Sequence, residues 1–260
     1  TDTARDGAPS QKVDIASIPD AVPRNEPRSK YGNPITYAVA GKTYRTLPDN
    51  EGYQESGIAS WYGTKFHGRR TSSGEPYDMH GMTAAHKTLP LPTYAEVTNL
   101  QNGRKVTVKI NDRGPFHENR LIDLSYAAAS KLGILATGTG LVEIRAIAPG
   151  CSECNNVQES MPAVDAPVPD VAAAQPRNLV NDESRAVKLY LQAGAFRRRD
   201  NAERLRARID EAVPQAPNVQ VIEGSLYRVR IGPFAKVDEV DHFVGRLHKL
   251  GVEGAQVVID

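Results

Sequence analysis

The chain has 260 residues, 40% of them hydrophobic, enough for two modest domains joined by a linker. A formal net charge of +1 argues against general affinity for nucleic acid or anionic lipid. No apolar run approaches the ~20 residues that cross a bilayer, and no basic start leads into an apolar stretch, so any export signal is expected to have been removed.

Residues 1–34 are polar, rich in Pro and Asp and without a hydrophobic period, which reads as a flexible tether. Order is expected from Ile35, where two β-prone runs flank a turn at Ala40-Gly41. Strands follow at Gly57–Tyr62, Tyr94–Asn99, Val106–Asn111 and Leu141–Ile147, and Thr83–His86 reads as a buried strand. Asn102-Gly103 suggests a tight hairpin turn. One helix stands out, capped by Ser125, carried by Tyr126 to Leu132 and ended by Gly133. Many short strands with a single helix point to a closed barrel over residues 35–150.

Residues 151–186 read as an extended linker, with repeated Pro, Ala, Asp and Asn. The tail, residues 187–260, holds an internal repeat. Tyr190 to Phe196 matches Arg228 to Phe234, and the same offset aligns Asp200 with Asp238, Arg208 with Arg246 and Ile209 with Leu247. Each copy reads as a strand, a Gly-x-Phe corner and an amphipathic helix. Ala202, Leu205, Ile209 and Ala212 share one helical face; Val240, Phe243, Val244 and Leu247 share the other. With strands at Val219–Glu223 and Ala255–Ile259, this predicts a ferredoxin-like βαββαβ sandwich.

Five motifs then carry a resemblance: Gly57 to Gly63, Thr71 to Glu75, Thr83 to His86, Asn111 to Pro115 and Ile122 to Ser125. In this order they resemble the RlpA family, and the tail resembles a SPOR domain, a peptidoglycan-binding module found at division sites. The resemblance implies a six-stranded double-psi β-barrel. It also implies lytic transglycosylase activity on the MurNAc–GlcNAc β-1,4 bond, with a preference for peptide-denuded glycan. The family is lipid-anchored through an N-terminal cysteine. A chain that starts after such an anchor is therefore expected, on the periplasmic side of the outer membrane and enriched at the septum. Glycan strands are the expected partner, with possible division-site envelope proteins, and no cofactor is implied.

In that reaction the muramic C6 hydroxyl attacks C1 and closes a 1,6-anhydro ring. A carboxyl protonates the leaving oxygen and then takes the hydroxyl's proton, so the two-carboxylate spacing rule of hydrolases does not transfer. Asp112, at a strand end before Arg113-Gly114-Pro115, stands where the family places its catalytic Asp. Read alone, it is more readily a turn-capping residue paired with Arg113, and the five-motif context reverses that preference. Glu75 matches the family's second acidic position. If it lies near Asp112, repulsion raises one pKa and keeps one carboxyl protonated; otherwise it is an ordinary loop Glu. His86 is a catalytic candidate that reads first as an orienting group for a carboxylate, with direct proton transfer or a satisfied structural histidine as the alternatives. Tyr62, Trp61 and Phe116 are candidates for stacking on sugar rings, although Trp61 equally suits a core. Arg113 is a candidate grip on N-acetyl or lactyl groups, and Asp123 is assigned to loop architecture. In the tail, Gln192, Tyr227 and Arg228 are candidates for an exposed glycan-binding sheet face, with the register open.

Cys151 and Cys154 have CxxC spacing but lack a thioredoxin-like setting, and zinc would need two further ligands, so no metal is expected. Arg197-Arg198-Arg199 reads as a solvated loop, because residues 187–260 balance twelve Lys/Arg against ten Asp/Glu. Two other functions fit the same residues: a non-catalytic, expansin-like wall binder, and a division-site scaffold.

Overall fold

A computed structural model of the protein describes residues 7–9, 14–117, 119–147, 188–214, 216–252 and 254–259. Cys151, Cys154 and the expected linker lie outside these residues. Ordered pairing starts in a hairpin, β1 (Thr36–Val39) and β2 (Lys42–Arg45), turned by Ala40 and Gly41. Both turn residues are left-handed, at φ 49° and 79°, which is the geometry a two-residue hairpin needs.

Six strands then close a barrel: β3 (Gln54–Tyr62), β4 (Thr83–His86), β5 (Thr93–Asn99), β6 (Lys105–Asp112), β7 (Arg120–Ser125) and β8 (Gly140–Ile147). Their order is β3-β7-β4-β6-β5-β8. β3 runs parallel to β7 and β4 parallel to β6, while the other pairs are antiparallel, as a double-psi barrel requires. The period-2 alternation of strands fills the interior: Ala95 and Val97, Val106, Val108 and Ile110, and Ile122 and Leu124 are all buried. β7 is absent from the strands expected from sequence, because Arg120, Asp123 and Ser125 dilute its apolar pattern. The Asn102-Gly103 turn also differs. Leu100–Arg104 form a longer loop in which only Gly103 is left-handed and its N–H reaches Asn99 O.

Helix α1 (Tyr126–Leu132) starts at Ser125, whose Oγ accepts from Ala128 N at 3.1 Å and donates to Gly81 O at 2.6 Å. Gly133 ends it at φ 80°, its N–H bonded to Ala129 O and Ser130 O. The N-terminal segment corrects the tether expectation. From Asp14 onward it lies along the barrel, with Ile15, Ile18 and Ala21 packed on the core. The cause is an incomplete neighbour. β4 pairs with β6 only from Lys109 onward, leaving the edge at Thr107 uncovered. There Ala21 N donates to Thr107 O and Thr107 N donates to Asp20 Oδ2, which satisfies backbone groups a strand would otherwise pair.

The tail folds as β9 (Leu189–Phe196), α2 (Arg199–Ala212), β10 (Val219–Ile222), β11 (Tyr227–Phe234), α3 (Val237–Lys249) and β12 (Gln256–Ile259). The sheet order β10-β11-β9-β12 is the ferredoxin-like one. Leu189, Leu191, Val229 and Ile231 face Ala202 and Ile209 of α2 and Val240, Phe243, Val244 and Leu247 of α3. Ala212 turns to solvent, and Val213 takes its expected place in the core.

Ser125 is fully buried and joins a helix start to a neighbouring loop. Ser125→Ala should therefore destabilise the barrel by about 1–3 kcal/mol, read from the urea midpoint of the intact chain; an unchanged midpoint would mean that the cap contributes nothing.

Candidate active site

The end of β6 and the loop 71–75 form one hydrogen-bonded unit. Thr71 N and Oγ1 both donate to Glu75 O at 2.8 Å, and Ser73 N donates to Asn111 O at 3.2 Å. Ser72 then meets Asp112. One carboxylate oxygen of Asp112, Oδ1, accepts from Ser72 N (2.8 Å), Ser72 Oγ (2.6 Å) and Arg113 N (2.7 Å). Among the described residues Oδ2 accepts no hydrogen bond, and the side chain is half-buried. The geometry gives an immobilised carboxylate with one oxygen left for a substrate.

Glu75 belongs to the same unit but not to a coupled pair with Asp112. Its Oε1 accepts from Lys109 Nζ (2.9 Å) and its Oε2 from Asn111 Nδ2 (2.8 Å). Burial pulls its carboxyl up, but these two hydrogen bonds and the Lys109 charge outweigh it and hold it below the usual carboxylate value. The expectation of a carboxyl kept protonated by repulsion therefore does not hold for Glu75. Lys109 is held in turn by Glu26 at 3.0 Å, so the N-terminal segment reaches the site from behind. Gly32 of that segment is left-handed at φ 79°. A Cβ there would stand 2.7 Å from Ser72 O, a contact only glycine avoids.

His86 points elsewhere. It is 2% exposed, and its Nδ1 accepts from Thr88 N (3.2 Å) and Leu89 N (3.1 Å). That leaves Nε2 as the protonated nitrogen, 3.1 Å from the Tyr53 hydroxyl, which donates to Glu55. Burial, helped by the Lys87 and Arg113 charges, pulls its pKa down to about 3. In this arrangement His86 is neutral, and among the described residues it makes no hydrogen bond to Asp112 or Glu75.

Two binding candidates are also redirected. Tyr62 is 9% exposed, stacked on Tyr77 with ring centroids 4.2 Å apart, so its face is not open to a sugar. Arg113 spends its guanidinium on Gly32 O, His86 O, Leu89 O and Asn33 Oδ1, tying the N-terminal segment to the barrel rather than gripping a ligand. Trp61 packs on the core with its ring edge-on to Tyr126. Phe116 keeps its candidacy: it is 41% exposed beside Gly114, against Tyr44 (5.7 Å) and Tyr37 (6.3 Å). Tyr37 and Tyr44 escape a sequence reading because they sit in a hairpin remote from every motif.

Asp123 is the residue the sequence misassigned. It lies in β7, not a loop, opposite Ala85, and Ala85 is opposite Asp112 on its other side. Residues opposite one another in adjacent strands share a face. Asp112, Ala85, Asp123 and then Ser60 of β3 thus form a row across four strands. Ser60 Oγ donates to Asp123 in a short hydrogen bond.

In the tail, Gln220, Arg230, Gln192 and Gln256 are opposite one another across all four strands, on the face away from the helices. Arg228 shares that face. Tyr227 does not: it is opposite Phe196 and packs on the helix side, with its hydroxyl 3.5 Å from Glu223. No group of three or more His, Cys, Asp or Glu able to hold a metal occurs among the described residues, and no helix there is long and apolar enough to cross a membrane.

Comparison with known proteins adds an independent line. Residues 54–145 match the family model described as lytic transglycolase, and residues 186–258 match the SPOR domain. The chain is 43% identical over 91% of its length to the endolytic peptidoglycan transglycosylase RlpA of Pseudomonas aeruginosa, covering 79% of that protein. It is 53% identical over 56% of its length to the protein of the same name from Vibrio cholerae, covering 55% of it. The Neisseria meningitidis counterpart is 54% identical over 51% of the chain and 55% of the relative.

Burial of neutral His86 has a stability consequence with a defined sign. Unfolded, the ring takes up a proton near pH ~6.5; folded, only near about 3. The unfolded state binds more protons in that window, so stability falls with acidification by up to about 1.4 kcal/mol per pH unit. His86→Asn, whose side-chain carbonyl can replace Nδ1 as acceptor, should flatten the melting temperature between pH 4 and 6 relative to the parent. Equal slopes would show that His86 is not held neutral.

Proposed function

The chain belongs to the RlpA family of endolytic peptidoglycan transglycosylases, and we propose that Asp112 is the carboxyl with which it works on the muramic C6 hydroxyl. The protein is a lytic transglycosylase of the cell envelope, cutting the glycan between MurNAc and GlcNAc and leaving 1,6-anhydro ends. The observation that carries the assignment of Asp112 is the convergence of three donors on one of its oxygens, with the other left unpaired at the strand end. Such a carboxylate loses no freedom when the substrate arrives. As C6–O attacks C1, the hydroxyl proton has an acceptor already in place.

Glu75, ionised and fixed by Lys109 and Asn111, supplies a fixed negative charge at the site, where positive charge develops on the sugar ring. Phe116, backed by Tyr44 and Tyr37, offers an apolar face for a pyranose ring. On the tail, the row Gln220–Arg230–Gln192–Gln256 with Arg228 forms a strip of amide and guanidinium groups suited to sugar hydroxyls and N-acetyl carbonyls. Binding there raises the local concentration of strands at the barrel without altering the chemistry. We place the protein on the periplasmic side of the outer membrane, at the septum, acting on strands already stripped of peptide stems, a reading supported by its SPOR domain and its RlpA relatives.

The test is amidase-treated peptidoglycan incubated with the full chain, with products analysed by mass spectrometry. Asp112→Asn should lose anhydro-MurNAc ends by at least about 100-fold while still pelleting with glycan. Reducing ends in place of anhydro ends would identify a hydrolase instead. For the tail, Gln192→Ala with Arg228→Ala in the full chain should reduce pelleting with denuded glycan and leave cleavage of short soluble strands intact; unchanged pelleting would remove this sheet face from binding.

A further inference from the structure

A glycan stripped of its peptide stems differs at the sugar itself by one charge. The lactyl carbonyl of each muramic acid, an amide while the stem is attached, becomes a carboxylate. We propose that Arg70 is the group that reads this carboxylate at the barrel and makes denuded strands the better substrate. The inference deepens the substrate preference proposed above and rests on it.

The chemistry sets where such a group must stand. The lactyl ether leaves C3, on the ring edge opposite C5 and its C6 hydroxyl. With Asp112 at the C6 hydroxyl, a cation for the lactyl carboxylate belongs a ring's width away. The loop 71–75 meets that requirement. Ser72 holds Asp112 through its N–H and hydroxyl, and at the far end of the same turn Arg70 Nε donates to Gly74 O at 3.1 Å. Ser72 and Gly74 are at most ~7 Å apart along the chain, so the guanidinium is anchored within one sugar of the catalytic carboxylate. Arg70 also pairs with Pro76 across the base of the loop, which fixes its backbone.

Arg70 is suited to a carboxylate in three ways. It is exposed, and among the described residues its side chain makes that one hydrogen bond and no ion pair. Both Nη groups are left for the two parallel bonds that a guanidinium gives a carboxylate. The group is also held in place before a ligand arrives, its central carbon 5.3 Å from the centroid of the Tyr31 ring. Gly74 makes room for both: it is left-handed at φ 102°, and a Cβ there would stand 3.1 Å from Arg70 Nη2 and 3.4 Å from the Tyr31 ring. Lys30 Nζ lies 5.8 Å from the same ring and adds to the positive field.

The neighbouring charges are engaged elsewhere. Lys109 is shared by Glu26 and Glu75, Arg113 by three carbonyls and Asn33, and Arg69 turns to Phe66, 6.0 Å from its ring centroid. Glu75 faces Lys109 and Asn111 and does not claim Arg70. The grip on the lactyl group that the sequence suggested for Arg113 thus falls to Arg70. A peptide-bearing strand presents a neutral amide there and gains nothing from the guanidinium. The carboxylate is present before and during the reaction alike, so Arg70 acts on KM and leaves kcat unchanged.

The experiment gives the full chain short soluble glycan strands in three forms: peptide-bearing, denuded, and denuded with the lactyl carboxylates converted beforehand to methylamides. Anhydro ends are counted by mass spectrometry. The parent should show a KM for denuded strands about 5–10-fold below that for methylamide strands. Arg70→Gln should raise the KM for denuded strands to the methylamide value, with kcat and the methylamide KM within about twofold of the parent. Arg70→Lys, which keeps the charge but not the fork, should fall between the two. Equal KM of the parent for denuded and methylamide strands, a parent-like Arg70→Gln, or equal losses by Arg70→Gln on both would overturn the role of Arg70 and leave the preference for denuded strands standing. Peptide-bearing strands cut as well as denuded ones would instead remove the preference itself, and the role of Arg70 with it.

Discussion

Strand β4 is four residues long, and the site exists because two longer strands must both pair with it. Thr83–His86 pairs with β6 on one side and with β7 on the other. Each long strand also pairs with a neighbour on its far side, β6 with β5 and β7 with β3, and β4 is the element that brings Asp112 and Asp123 into one row. Ala85 lies between them in register, and Tyr62, Tyr77 and Met79 pack over it. A large residue there would separate Asp112 from Asp123, and a longer β4 would cover the edge of β6 that the N-terminal segment occupies. The same shortness therefore sets that register and leaves a backbone edge needing cover.

That second consequence explains why a segment without hydrophobic period becomes part of the active-site support. Residues 20 and 21 satisfy the free edge at Thr107, and the chain then runs on to the site. There Glu26 holds Lys109, Gly32 O accepts from Arg113, and Ser29 Oγ donates to Ser73 O. Lys109 connects this support to Glu75. Removing Glu26 would free the ammonium that fixes Glu75, so distance from the chemistry in sequence is no measure of distance in energy.

Much of the barrel and nearly all of the tail were legible because both obey simple periods. Ser125 and Gly133 bounded a helix that formed as expected, and the repeated Gly-x-Phe corners fixed the tail's two halves. What was hidden depended on partners remote in sequence. Arg113 looked like a ligand grip until the carbonyls of residues 32, 86 and 89 surrounded it. Tyr62 looked exposed until Tyr77 stacked on it. Tyr227 falls on the helix side because it alternates with Val229 and Ile231, which the core buries, while Arg228 and Arg230 take the opposite face. Asp123 was concealed for the opposite reason: a helix cap two residues on drew the segment toward a loop reading, while Ile122 and Leu124 were already marking a strand.

Residue type alone does not separate the roles of the site's acidic groups; their surroundings do. Asp112, Glu75 and Asp123 are all carboxyls within a few strands of one another. Glu75 meets a lysine and a buried amide and is held ionised. Asp112 meets backbone N–H groups and a serine hydroxyl and is held still. Asp123 meets one hydroxyl and an apolar wall, and burial makes its charge costly. That inequality follows from where the fold puts each carboxyl, not from its residue type. The double-psi barrel provides it by placing one acid at an open strand end and another inside a strand, on a common face.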